Sequence, residues 1–373
     1  MKKCRVLELI GGSLSDGGAE TLVKEYVLNL DKQRFESAVF IDWVIPGTAN
    51  YKMLTAAKET LFTVYPRYNL FWRGINKFLR GFLFQRKMKK VISDFNPDVI
   101  HVHLCALEYL SRITKELKGR RILYTCHSTP SMMIEDDSSE DKAARVLIKE
   151  SKMRFVALHK DMAEELNARF EVKNTVVINN GINVERFKSV PESKENIRKS
   201  LEIPEEAFVI GHVGRFSKEK NHERIIRVMK QVNEVKENAF LLLVGTGELL
   251  SDVESQIESN ALSQNTLILS NRTDIPRLLK AMDVFLLPSL YEGFPISLIE
   301  AQAAGLRCVV SDTVPKDSFI SGKVTALSLN DPDEKWRDEI LNLEGGDGYP
   351  DRLEAFDIND VIKRVEKLYL GEL

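Results

Sequence analysis

Four charged side chains stand in settings that suit phosphate and hydroxyl chemistry: Arg215, Lys220, Glu292 and Glu300. Arg215 and Lys220 belong to the loop GRFSKEKN (214–221), which follows a buried-strand pattern and opens a helix. A guanidinium can fork onto a phosphate, and an ammonium adds a point charge. Taken alone, the same loop reads equally well as a solvated surface. The second pair lies in the stretch 283–312, DVFLLPSLYEGFPISLIEAQAAGLRCVVSD. There Pro295 marks the start of a helix and Gly305 its end. Unpaired amides around Phe294, Ile296 and Ser297 form a local positive pole suited to a phosphate. Glu292 sits in the loop and Glu300 further along the helix. Carboxylates are poor phosphate ligands but good acceptors for sugar or ribose hydroxyls. A phosphate cradle between two hydroxyl acceptors suits a nucleotide sugar.

These groups need a scaffold that delivers loops to one sheet edge. Val284–Leu287 is an apolar run of the kind that fills a parallel strand covered on both faces, and Cys308–Val310 is the next. Similar alternation runs from the strand at Arg5–Ile10 to one at Thr175–Ile178, and again from Phe208 to Leu269. The polar stretch 185–206 between them lacks a strand pattern. The expected organisation is α/β: an N-terminal parallel-sheet domain over 1–184, a second over 185–355, and a C-terminal helix over 356–373 that packs back on the first domain. A cleft between the two halves is expected to hold the ligands.

Composition sets outer limits. The chain has 373 residues and a net charge of −2, which gives no global attraction to nucleic acid. Cys4, Cys105, Cys126 and Cys308 lie in or beside apolar runs without metal-like spacing, and read as reduced core residues. No apolar run reaches the roughly 18 residues of a membrane span. Met1-Lys2-Lys3 leads directly into a strand pattern with no cleavable signal, so a cytoplasmic location is expected. Residues 67–90 carry eight Lys or Arg and no acid, interleaved with aromatics. That stretch reads either as an interfacial helix for anionic lipid or as a core helix with a solvated basic face.

The segments VGRFSKEKN, LLLVGTGE and PSLYEGFPISLIEAQAAG, with GGAE at 17–20 and INNGIN at 178–183, resemble the retaining GT-B glycosyltransferases of family four. The likeness is to the bacterial capsular and exopolysaccharide branch. The fold it implies is GT-B, two Rossmann-like domains facing each other across a cleft. The activity it implies is hexosyl transfer with retention, without metal or other cofactor. The donor would be a nucleotide-diphosphate sugar, expected to be a UDP sugar, and the acceptor a glycan or polyprenyl-linked glycan. Arg215 and Lys220 would then hold the diphosphate, and Glu300 the ribose hydroxyls. Glu292 would hold the donor sugar together with the backbone of Gly293, Phe294, Pro295 and Ile296, with Ser297 beside it. Gly17 and Gly18 would let the first loop approach diphosphate or acceptor. Arg272 falls in a segment resembling the turn that flanks the nucleobase.

His127 follows the strand Ile122–Cys126. The resemblance sets it against the donor sugar; its position alone is equally that of a structural hydrogen-bonding residue. His101 and His103 share one face of a strand, but no carboxylate or third histidine joins them at a recognisable spacing, so a role lining core or cleft is expected rather than a metal site. Gly245-Thr246-Gly247 lacks the third glycine of a dinucleotide fingerprint, since Leu250 stands there. Asp331-Pro332-Asp333 reads as a turn or helix cap. Two other functions fit the same architecture: a sugar-nucleotide epimerase, and a non-catalytic nucleotide-sugar-binding partner.

Overall fold

A computed structural model describes residues 2–15, 17–65, 70–104, 106–342, 346 and 351–373, with backbone alone for 70–80. Cys105 and residues 67–69 of the basic stretch lie outside the described residues. The chain forms two compact units, one of Met1–Gly181 with Ile358–Leu373, the other of Ile182–Asp357.

The first unit carries strands β1 (Cys4–Ile10), β2 (Phe35–Trp43), β3 (Thr60–Tyr65), β4 (Val99–His103), β5 (Arg121–Thr125), β6 (Arg154–Ala157) and β7 (Val176–Val177). They pair in parallel in the order β3-β2-β1-β4-β5-β6-β7. β1 and β4 are buried along most of their length, as expected for strands covered by helices on both faces. The C-terminal helix Ile358–Leu370 repeats Ile358, Val361, Ile362, Val365, Leu368 and Tyr369 at helical spacing. This stripe packs with Val6, Leu22, Tyr26, Leu123 and Val156 into one core.

The helix Leu70–Phe95 spans most of the basic stretch. In its described part Phe84, Met88, Val91, Ile92 and Phe95 are buried, while Phe82 is exposed. The acidic stretch 135–141 (EDDSSED) runs from a loop into a helix, and its last residue, Asp141, is buried. Ser138 caps the helix Ser139–Ser151 by accepting from the Asp141 amide, and the buried Asp141 carboxylate pairs with Arg145 at 3.0 Å. The capping serine turns the end of that loop into a first helical turn.

The second unit carries β8 (Phe208–Val213), β9 (Ala239–Val244), β10 (Thr266–Leu269), β11 (Val284–Leu287), β12 (Arg307–Ser311) and β13 (Val324–Leu327), in the order β10-β9-β8-β11-β12-β13. β8 and β11 are neighbours in space but far apart in sequence. Strand order reverses between them, the position at which open α/β sheets leave a crevice for ligands.

Candidate active site

The loops that leave β8 and β11 carry the four residues singled out first, Glu300 lying on the helix that follows the second loop. Their backbones are tied together: the Leu290 amide donates to the Glu219 carbonyl at 2.8 Å, and Asn221 Nδ2 donates to the Pro288 carbonyl at 3.0 Å. Between them Lys220 Nζ donates to Glu292 Oε1 at 2.6 Å, with the two side chains 15% and 8% exposed. The fully buried Ser289 donates to the same oxygen at 2.6 Å. An ammonium and a carboxylate from distant parts of the sequence therefore meet at the switch point.

The helix Ile296–Ala303 begins directly after this contact. Its N-cap is Pro295, which offers no side-chain hydrogen bond to the first turn. Gly293, Phe294 and Pro295 are buried, with the Phe294 ring stacked on Phe356 at 5.8 Å. Ile296, Ser297 and Glu300 are half-buried. Amide groups of an uncapped first turn suit an anion.

The other two cations are engaged elsewhere. Arg215 is 69% exposed and lies 3.3 Å from Glu248, itself exposed. Arg272 forks onto Asp274, with Nε 2.7 Å from Oδ1. That pairing holds the Asp274 carboxyl below its ordinary value.

The Gly245-Thr246-Gly247 segment, which fails as a dinucleotide fingerprint, supports the basic loop. The Phe216 amide donates to the Thr246 carbonyl at 2.9 Å, and the Leu249 amide to the Phe216 carbonyl at 2.9 Å. A Cβ on Gly245 would lie 1.9 Å from the Gly214 carbonyl oxygen, and one on Gly247 would lie 2.2 Å from that of Phe216. Both contacts are with backbone, so no side chain could be accommodated.

Two neutral histidines pack near the foot of the loop. His222 stacks on Phe216 at 4.4 Å and meets His212 edge-on at 5.0 Å. Burial pushes His222 down to about 4, with Lys220 acting in the same direction. Burial likewise holds His212 well below the ordinary imidazole value, and its Nδ1 donates to the Leu286 carbonyl at 2.9 Å.

In the first unit, Gly17 is the N-cap of the helix Gly18–Asn29 and Gly18 its first residue. His127 lies two residues beyond β5, at the carboxyl edge of that sheet, and is half-buried. Its Nε2 is 2.8 Å from His103 Nδ1. No spacing in the sequence joins a carboxylate or third histidine to His101 and His103, yet in the fold both Glu8 and His127 meet them. Glu8 of β1 lies opposite His101 in the strand register, and its Oε2 is 2.9 Å from His103 Nε2. Glu8, His101 and His103 bring potential ligand atoms within 4.8 Å of one another, all three residues fully buried. Both nitrogens of each imidazole already have protein partners: Tyr369 and Thr125 for His101, Glu8 and His127 for His103. A cation would have to displace those bonds.

Sequence reasoning assigned no role to Glu8, Ser289 or Tyr369. Glu8 had a signal: it is a lone acid inside the otherwise apolar run Val6–Ile10, and a buried charge demands partners. Those partners lie more than ninety residues away, which no local spacing reveals.

Residues 16–186 match the family described as Glycosyltransferase Family 4, and residues 193–354 match Glycosyl transferases group 1. EpsF of Bacillus subtilis strain 168 is 28% identical over 357 residues, covering 93% of this chain and 89% of that one. The Escherichia coli UDP-Gal:alpha-D-GlcNAc-diphosphoundecaprenol alpha-1,3-galactosyltransferase is 27% identical over 303 residues, covering 75% of this chain and 77% of that one. Among solved structures, Anabaena Alr3699/HepE in complex with UDP-glucose superposes with a TM-score of 0.78 at 18% identity, covering 99% of this chain and all of the other. The two parallel-sheet Rossmann-like units are those of the GT-B fold. The chain belongs to the GT-B glycosyltransferases of family four.

Proposed function

We propose that the protein transfers a hexose or N-acetylhexosamine from a UDP sugar, with retention of anomeric configuration, to a glycan or polyprenyl-linked acceptor in surface-polysaccharide synthesis. The observation that carries this reading is the Lys220–Glu292 contact at the switch point, beside the uncapped first turn at Ile296. The diphosphate takes those amides together with Arg215 and Lys220. Glu292, released from its ammonium, accepts hydroxyls of the donor sugar with the backbone from Gly293 to Ile296, and Glu300 accepts those of the ribose. His127 takes the donor sugar from the first unit, and Gly17 and Gly18 leave room for diphosphate or acceptor. Arg272, with Asp274, borders the base.

In the reaction the bond from the anomeric carbon to the phosphate oxygen breaks, and a bond to the acceptor oxygen forms on the same face. The acceptor proton passes to the departing diphosphate. Negative charge grows on that leaving group, so preorganised cations contribute most in the transition state. The two cations supply the charge that a metal would otherwise bring.

The Escherichia coli relative acts on a diphosphoundecaprenol-linked sugar, which supports a polyprenyl-linked acceptor here. An enzyme using it would work at the cytoplasmic face of the membrane, with the basic stretch 67–90 toward anionic lipid. Among the described residues no helix is long and apolar enough to cross a membrane.

A panel of nucleotide sugars tests the reading, scored by thermal stabilisation, slow donor hydrolysis and the anomeric form of the product. A bound donor raises the melting temperature by mass action. A UDP sugar should stabilise the protein and yield a product of unchanged configuration. If no nucleotide sugar were hydrolysed or transferred and UDP left melting unaltered, the proposal would fail.

A further inference from the structure

The polar network around Glu8 lies outside the donor site of the second unit. Its geometry admits a direction for every hydrogen bond. Tyr369 Oη donates to Glu8 Oε1 at 2.6 Å. A hydroxyl that donates to a carboxylate can still accept, so His101 Nδ1–H, 2.7 Å from the same oxygen, donates to Tyr369. His101 Nε2 is then a lone pair, and Thr125 Oγ1 donates to it at 2.6 Å. On the other carboxylate oxygen, His103 Nε2–H donates across 2.9 Å. That leaves His103 Nδ1 a lone pair, and the atom 2.8 Å from it, His127 Nε2, must carry a proton. A neutral imidazole with a proton on Nε2 has its lone pair on Nδ1.

We propose that Glu8, acting through His103, is the positioning residue that fixes His127 as a neutral imidazole protonated on Nε2, with Nδ1 kept as a hydrogen-bond acceptor. With these directions every hydrogen bond between Thr125 and His127 has one donor and one acceptor. Its anchor is a carboxylate, the one group in the network that can only accept while ionised. The second nitrogen of an imidazole is commonly governed in this way by the partner of the first. Burial, aided by the adjacent His103, holds His127 well below the ordinary imidazole value, in keeping with a neutral ring. A hydroxyl-bearing ligand that meets Nδ1 finds an acceptor, so His127 selects for a hydroxyl donor at that point. Only this last consequence rests on the proposed transfer to a glycan; the tautomers rest on the hydrogen bonds alone.

Long-range proton–nitrogen NMR of the full chain labelled at histidine nitrogens, at neutral pH, reads the tautomers directly. The His127 signals are assigned by their loss in His127→Asn. Both His103 and His127 should show a protonated Nε2 and a bare Nδ1. A proton on His127 Nδ1, or on His103 Nδ1, overturns the proposal. Two variants separate positioning from simple packing. His103→Phe removes the acceptor, so the His127 signals should move to tautomer-averaged values and turnover should fall about tenfold, one hydrogen bond's worth. UDP affinity, carried by the other unit, should hold. Tyr369→Phe loses a buried hydrogen bond but leaves His103 between Glu8 and His127, so the His127 tautomer should persist despite lower stability. If Tyr369→Phe disturbed His127 as much as His103→Phe does, the network would be packing alone and the assignment would fall. The wild-type spectrum stands whether or not the variants fold and whether or not sugar is transferred.

Discussion

The carboxylate of Glu292 in the second unit and that of Glu8 in the first are both largely removed from water, yet different partners hold them. Glu292 faces a full positive charge, the Lys220 ammonium at 2.6 Å, with a serine hydroxyl in support. Glu8 faces neutral donors, a tyrosine hydroxyl and an imidazole. Burial consequently raises the Glu8 carboxyl above its ordinary value, only partly offset by His101 and Tyr369. An ion pair at a crevice can be exchanged for a charged ligand, because arriving phosphate replaces the carboxylate as partner of the ammonium. A carboxylate held only by neutral donors has no such exchange open to it, and what its network offers is direction: which nitrogen carries a proton and which does not.

The largest effect should come from breaking the charged centre. Lys220→Ala removes the cation proposed to face the leaving group, and leaves Glu292 with the Ser289 hydroxyl. Turnover should fall about a thousandfold, near 4 kcal/mol of transition-state stabilisation. Steady-state kinetics with the preferred donor decide the matter. A variant that keeps its turnover and loses only donor affinity would show that Lys220 serves binding without acting on the leaving group.

A stability test contrasts with this kinetic one. In the second unit Asp283 accepts from Lys194, from Arg198 Nη2 at 2.7 Å and from the Val209 amide at 2.7 Å. Burial pulls its carboxyl upward, but these donors together hold it below the ordinary value. Asp283→Asn leaves the buried Arg198 guanidinium without its counter-charge, and should cost about 3 kcal/mol in chemical denaturation. The stabilisation should also fade in the wild type as pH drops through the carboxylate range, since the unfolded chain then binds the proton first.

Acid should affect the histidine centre of the first unit earlier. Burial lowers His103 to about 3 and holds His101 and His127 well below the ordinary 6.5. Unfolded histidines bind protons below about 6.5 while these do not, so stability falls with acidification from there down to the folded values. Each such histidine contributes at most about 1.4 kcal/mol per pH unit in that window. Glu8, with a raised carboxyl, works in the opposite direction but is one group against three. A first unit whose stability stayed level from pH 7 to 5, followed by histidine-resolved exchange or melting, would contradict neutral imidazoles.

The two centres also differ in how far the sequence disclosed them. Strand alternation revealed both sheets because buried parallel strands are written as apolar runs such as Val284–Leu287. The loops at 214–221 and 288–297 were legible because each holds its chemistry within ten residues. Their meeting at Lys220 and Glu292 follows from strand order, a long-range property the motifs only imply. The network at Glu8 draws on β1, β4, the end of β5 and the C-terminal helix, with Glu8 and Tyr369 361 residues apart. Nothing local links a glutamate in one strand to a tyrosine in the last helix. Hydrogen-bond demand is the physical signal: a charged residue in an apolar strand needs a partner, but its identity appears only when the sheet is assembled.

The smallest effect is expected at Arg215, and it sharpens the contrast between a charge held for a ligand and one held for the fold. Its partner Glu248 is more than half exposed, as Arg215 is, and the pair is separated by 3.3 Å. Exposed pairs of this kind contribute less than about 0.5 kcal/mol after solvent screening and side-chain ordering. Glu248→Gln should therefore leave the melting temperature almost unaltered. It should nonetheless free the guanidinium for a diphosphate and tighten UDP by about twofold at low salt, an advantage that disappears as added salt screens exposed charges. Calorimetric titration of UDP at two salt concentrations measures both quantities. Weakened binding would mean that Glu248 orients Arg215 toward the ligand, and would place this pair with Lys220 and Glu292 among contacts prearranged for the donor.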